Sequence, residues 1–188
     1  MKNSIAHTGF TLVELLLALT ILSLVSTVAL GHWSGWMNDV RHRTQINAYA
    51  ELFNYARWMA ASRRQRVTLC PLDTDNRCRD DWNLPVSVFP DQDNNKEPDG
   101  NLVWRVFPAP MVPFSVRSRT GGRGYLQFSA SGMVYGASGG LVLCPDRDIE
   151  GGKMSYMAVN RGGRFRSEHD EDDDRHIRLS WGADIHCA

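Results

Sequence analysis

The chain has no excess of either charge: 21 Lys and Arg are matched by 21 Asp and Glu across 188 residues, a formal net charge of zero. That balance excludes a global basic field able to recruit nucleic acid or anionic lipid, so polyanion binding has to come from a local patch. Cysteine is scarce. The four present, Cys70, Cys78, Cys144 and Cys187, contain no C-x-x-C spacing, which removes the usual zinc and dithiol redox pairs. The histidines, His7, His32, His42, His169, His176 and His186, form no H-E-x-x-H, and no G-x-S-x-G elbow occurs. Neither a metalloprotease helix nor a hydrolase nucleophile is there to support an enzyme, and no catalytic residue, metal or cofactor is expected. The length suits one domain with its own core and is too short for two comfortable ones.

What is there begins at the N-terminus. Residues 1–9, MKNSIAHTG, are polar with Lys2 as the cation, and they run directly into FTLVELLLALTILSLVSTVAL. As a helix rising about 1.5 Å per residue, residues 10–30 span roughly 30 Å, the thickness of a hydrocarbon core. A cation before this segment and a whole domain after it place the leader in the cytoplasm and the head outside, in the periplasm of a single-pass inner-membrane protein. A secretory signal carries its small-residue cleavage site after the apolar region; here Gly9-Phe10 precedes it. Glu14 lies inside the apolar run, where a carboxylate is costly enough to be functional and to need a partner.

A head outside the cytoplasm also gives the cysteines an oxidising compartment, so disulfides are expected. Three pairings are open to four cysteines. A small loop, Cys70 with Cys78, and a clasp on the C-terminus, Cys144 with Cys187, is the set we expect.

The residues G-F-T-L-V-E-L-L, Gly9 to Leu16, resemble the class III signal of type IV pilins and type II secretion pseudopilins. The resemblance implies cleavage between Gly9 and Phe10 by a prepilin peptidase, methylation of the Phe10 amine, and pairing of Glu14 with the amine of a neighbouring subunit in a filament, where the two buried charges neutralise each other.

Beyond Gly31 the pattern turns amphipathic. Trp33, Trp36, Met37, Val40, Tyr49, Leu52, Phe53, Ala56, Met59 and Ala60 recur at three-and-four spacing, with Arg41, Arg43, Gln45, Asn47, Glu51, Arg57 and Arg63 on the wetter faces. This predicts one long helix to about Gln65, with 31–66 as a stalk continuing into the head and Trp33 and Trp36 at the height of an interfacial aromatic belt. From 67 to 188 no long helix is visible. Short alternating runs predict strands at 67–70, 86–89, 102–107, 112–116, 125–128, 141–144, 155–160, 164–166 and 177–181. The fold class is α+β, a long N-terminal helix packed on an antiparallel sheet.

Within the head, WNLPVSVFPDQDNN, LVWRVF, YLQFSASGMV, GGLVLCP and MSYMAVNRGGRFR resemble the GspH/FimT group of minor pilins and pseudopilins. The resemblance implies a minor pilin of a type IV pilus that helps initiate or cap the filament, with other pilins as partners. The alternative is a minor pseudopilin, GspH-like, of a type II secretion system. Asn160 to Arg166 reads N-R-G-G-R-F-R and contains, at Gly163, Arg164 and Arg166, the G-R-x-R of DNA-binding FimT-type members. With Arg161 these arginines suit phosphate, because each guanidinium grips two oxygens and the glycines allow a tight turn. DNA binding for uptake in natural transformation is what that similarity implies. The plainer reading pairs these arginines with the acids that follow at once, Glu168 and Asp170 to Asp174, a run that weakens polyanion binding unless it folds away. The acids from Asp91 to Asp99 alternate like the start of a calcium loop, but Lys96 replaces the turn glycine and Leu102 stands where the bidentate Glu belongs, so a solvated turn is expected. The run 168–174 shows no better ligand spacing.

Overall fold

The structure, a computed structural model, describes residues 11–136, 138–147, 149, 153–172, 174–179 and 182–187, without the side chains of 28–32. Gly9 and Phe10, the expected cleavage junction, lie outside these. One helix, α1, runs Leu12–Arg63. Thr11 starts it, its hydroxyl accepting the Glu14 N–H at 3.3 Å, and Arg64 ends it in the left-handed region at φ 53°, donating its N–H to the Ala60 carbonyl. Cap and stop thus fall where a hydroxyl residue and a departing backbone satisfy the orphan groups of the helix ends.

The helix meets two different environments. From Leu12 to Val25 the large apolar side chains are 52% to 75% exposed all around the circumference, so this portion has no polar face to give to water. Among the described residues, no helix is long and apolar enough to cross a membrane; the side chains described in this run stop at Thr27. Higher up, Ile46, Tyr49, Leu52, Phe53, Ala56, Met59 and Ala60 are buried in the main core. The face between differs from the predicted stripe. Trp33, Trp36 and Val40 are exposed, the two tryptophans packing on each other at 5.4 Å. Asn38, His42 and Gln45 are the buried residues instead. Gln45 therefore does not lie on a wet face: the helix first meets the head through polar side chains, and its apolar stripe starts only at Ile46.

The head is built from two four-stranded antiparallel sheets and a hairpin. The first has the order β3-β2-β1-β5, with β1 Val67–Pro71, β2 Val86–Pro90, β3 Arg105–Phe107 and β5 Leu126–Phe128. The second has the order β4-β6-β7-β8, with β4 Phe114–Arg119, β6 Gly140–Pro145, β7 Ser155–Val159 and β8 Phe165–His169. The hairpin pairs β9, His176–Arg178, with β10, Asp184–His186. Helix α1 lies against both sheets around Leu52, Phe53, Leu69, Phe128, Leu141 and Met157. A second small core, Val142, Cys144, Met154, Ile177, Leu179 and Ile185, lies between the other face of the second sheet and the hairpin.

Predicted strands are found with shifted ends. Leu102 stays out of its strand and is exposed. The acidic side of β8 continues it, because Ser167 to His169 still pair with Met157 to Ser155. Strand β10 has a single apolar residue, Ile185, too little alternation to be read. Disulfides join Cys70 to Cys78 and Cys144 to Cys187, and among the described residues no cysteine is free. The second ties β6 to the residue after β10, holding the hairpin on the sheet.

Candidate functional site

The turn that carries the arginines is closed by its own backbone. The Asn160 N–H donates to the Arg164 carbonyl at 3.0 Å, Gly163 donates to the Asn160 carbonyl at 2.8 Å, and Asn160 Oδ1 accepts the Arg164 N–H at 2.9 Å. Gly163 is left-handed at φ 77° and buried; a Cβ there would stand 2.3 Å from the Gly132 carbonyl oxygen and 3.1 Å from Arg57 Nε. Its missing side chain thus serves close packing against the 129–134 turn and α1. From this anchor β8 leaves with Phe165 stacked on Phe53 of α1, ring centroids 5.6 Å apart. Alternation along a strand then turns Arg164 and Arg166 to the opposite face.

On that face the register aligns a row across four strands. Arg119 of β4 is opposite Gly140 of β6, Gly140 opposite Ala158 of β7, and Ala158 opposite Arg166 of β8. Two arginines thus stand at the ends of a row whose middle is nearly bare, roughly three strand spacings or about 14 Å apart. Gly140 is bare because the Tyr156 ring lies over it: a Cβ would come within 2.5 Å of that ring. A cleft of about 380 Å³ opens here, lined by Arg119, Tyr156, Arg161 and Arg166 and walled by Leu179 and Ile185 of the hairpin region. Burial pushes the Tyr156 phenol above its ordinary value, against Arg119 and Arg166, whose charges act in the opposite direction. Arg161 and Arg166 are thus brought together, with Arg119 added. Arg164 is exposed but does not line this cleft. Sequence reasoning missed Arg119 because it lies far away in the chain; only the register of β4 signals it.

The acids that follow are not a plain solvated loop. Glu168 pairs with Arg166, Asp174 reaches Arg178 at 3.3 Å, and Asp170 is buried. Asp91, expected in a solvated turn, is also fully buried. Its Oδ2 accepts from Thr68 at 2.6 Å and from Gln127 at 2.8 Å, and its Oδ1 accepts the Lys96 N–H at 3.3 Å. The turn is an internal polar knot because Thr68 and Gln127, on adjacent strands, point their polar ends at it.

A larger cleft, about 760 Å³, lies where α1 meets β8 and is lined by Asp39, His42, Arg43, Lys153, His169 and Asp170 among others. At its wall the buried Ser155 hydroxyl lies 2.7 Å from His42 Nε2 and 2.7 Å from His169 Nδ1. Burial, helped by His169, lowers the His42 pKa to about 4. The arrangement joins α1, β7 and β8 through one hydroxyl.

Residues 6–30 match the prokaryotic N-terminal methylation motif, and residues 45–181 match the family described as type II transport protein GspH. No curated protein sequence matches the chain. A crystal structure of the type IV minor pilin FimU of Pseudomonas aeruginosa is similar with a TM-score of 0.53 at 15% identity, covering 69% of this chain and 97% of that one. The minor pseudopilin EpsH from the type 2 secretion system of Vibrio cholerae gives 0.48 at 12% identity, covering 69% and 97%. At such identities the FimU likeness is one of fold: helix, two antiparallel sheets, α+β. With the family match extending over well more than half its length, the chain belongs to the GspH family.

Proposed function

We propose that this chain is a minor pilin of a type IV pilus, anchored in the inner membrane and assembled into a filament through α1, where it helps to initiate or cap the fibre. The observation that carries this reading is the continuous helix α1, which buries Leu52 and Phe53 in the head while leaving Leu12 to Val25 exposed on all sides. Such a surface needs lipid before assembly and other helices after it. Glu14, exposed among leucines on the first turn, is suited to take the amine of a neighbouring Phe10 once a prepilin peptidase has cut after Gly9. The head in this reading grips DNA phosphates through Arg161, Arg164 and Arg166, joined by Arg119.

The test is binding of double- and single-stranded DNA by the detergent-solubilised chain at several salt concentrations. Replacing Arg164 and Arg166 together with Gln should weaken binding to unrelated sequences alike and make the logarithmic salt slope shallower by roughly two units on duplex DNA. An unchanged slope removes the DNA layer and leaves the pilin reading standing. A second reading, a minor pseudopilin of a type II secretion system, is favoured by the family description itself. It predicts crosslinks from residues near Glu14 to secretion pseudopilins instead of pilins.

A further inference from the structure

The acidic run after β8 holds a buried carboxylate that the rest of the fold does not fully satisfy. Asp170 is 2% exposed, and its Oδ1 is buried with no hydrogen-bond partner among the described residues. The other oxygen accepts the Arg175 N–H at 2.8 Å, and the Asp170 N–H donates to the Met154 carbonyl at 3.1 Å, so one bond holds the side chain and the other its backbone. Asp172 and Asp174 follow at alternate positions. One carboxylate oxygen from each of Asp170, Asp172 and Asp174 lies within 4.8 Å of the others.

Three carboxylates this close repel one another unless a cation lies between them. Two oxygens each about 2.4 Å from one calcium ion stand at most about 4.8 Å apart, so three oxygens in this arrangement can share an ion. All the donors are hard oxygens, which selects against zinc and copper. The charges nearby are Arg178, 3.3 Å from Asp174 Oδ2, and Asp39, Arg43, Lys153 and Glu171, which line the same cleft as Asp170. The Arg175 guanidinium is directed elsewhere, to the carbonyls of Asp146 at 3.3 Å and Arg147 at 2.6 Å. The second acidic group, Asp91, Asp93 and Asp99, differs: the buried Asp91 has donors on both oxygens.

We propose that Asp170, Asp172 and Asp174 bind one calcium ion, with the buried Asp170 oxygen as the inner ligand and water completing the shell. The ion ties the connection between β8 and β9 and so fixes the open end of the hairpin, the end that the Cys144–Cys187 disulfide also holds.

The experiment uses the full chain in detergent, stripped with EDTA and titrated calorimetrically with calcium chloride and, separately, magnesium chloride, with melting followed in parallel. We expect one calcium per chain, a melting temperature raised by several degrees and lowered again by EDTA, and magnesium at least tenfold weaker. Asp172→Asn should weaken calcium binding tenfold or more; it replaces an exposed side chain, so it keeps the test informative if Asp170→Asn fails to fold. Asp93→Asn should leave binding unchanged. Absence of calcium binding, equal affinity for magnesium, unaltered binding in Asp172→Asn, or loss in Asp93→Asn would each overturn the proposal.

Discussion

Gly163 and His42 each have a role that their neighbours in space assign. Two adjacent glycines in N-R-G-G-R-F-R read alike in sequence, yet only Gly163 is left-handed and pressed against the Gly132 carbonyl; a Cβ on Gly162 would find its nearest neighbour, Asn160 Oδ1, at 3.4 Å. Gly163→Ala should therefore cost about 2–3 kcal/mol, from left-handed strain plus a backbone clash, and Gly162→Ala should stay within about 0.5 kcal/mol. Denaturant melts of the two variants decide this. His42 is held neutral in the fold, its pKa near 4 against an ordinary 6.5. The unfolded chain takes up the proton first as pH falls, so the stability contributed by neutral His42 is complete above pH 6.5 and is lost progressively down to about 4. At about 1.4 kcal/mol per unit the loss amounts to some 3 kcal/mol at most. Replacing His42 with Gln should flatten this part of the stability profile between pH 7.5 and 4.5, and a slope identical to the parent's would assign it to other groups.

Helix α1, β4 and the terminal hairpin differ in how far consecutive residues determine their contacts. The upper half of α1 was legible from Tyr49 onward because a three-and-four spacing facing a sheet has one solution. Its lower contact was not, because Asn38, His42 and Gln45 are polar residues buried against polar partners, which hydropathy cannot mark. Arg119 is invisible for another reason: its place across the cleft from Arg166 depends on the register of β4, β6, β7 and β8, and none of the other three is β4's neighbour in sequence. The hairpin depends on a tether, since β9 and β10 have three residues each and a two-stranded ribbon is marginal alone. The Cys144–Cys187 bridge spans 43 residues, and closing a loop of that length contributes about 4 kcal/mol in the chain-entropy model. Cys187→Ser should lower stability by up to about that amount and expose the hairpin to limited proteolysis before the sheets; simultaneous cleavage of both would show that the small core of Ile177 and Ile185 holds it unaided.

The chain as a unit is organised along one helix, exposed in its first part and buried in the head in its upper part. If α1 is a filament stalk, its first turn must begin where processing ends, and the Thr11 cap lies one residue beyond Phe10. Mass spectrometry of membrane-extracted protein should find a methylated chain starting at Phe10, and an intact leader in cells with an active peptidase would remove the pilin reading. Residues 9–16 carry that expectation through their resemblance to the class III signal, and the carboxylate of Glu14 inside the apolar run is a local pattern whose cost does not depend on what it later touches. The α+β class was equally legible, since periodicity is a property of consecutive residues. Tertiary structure alone decided that Asp91 and Asp170 are buried, that Gly163 is a packing residue, and that Arg119 shares a cleft with Arg161 and Arg166. Burial and proximity between distant segments are set by register and by how two sheets close around a helix, and a one-dimensional pattern of charge cannot tell a solvated aspartate from one turned inward.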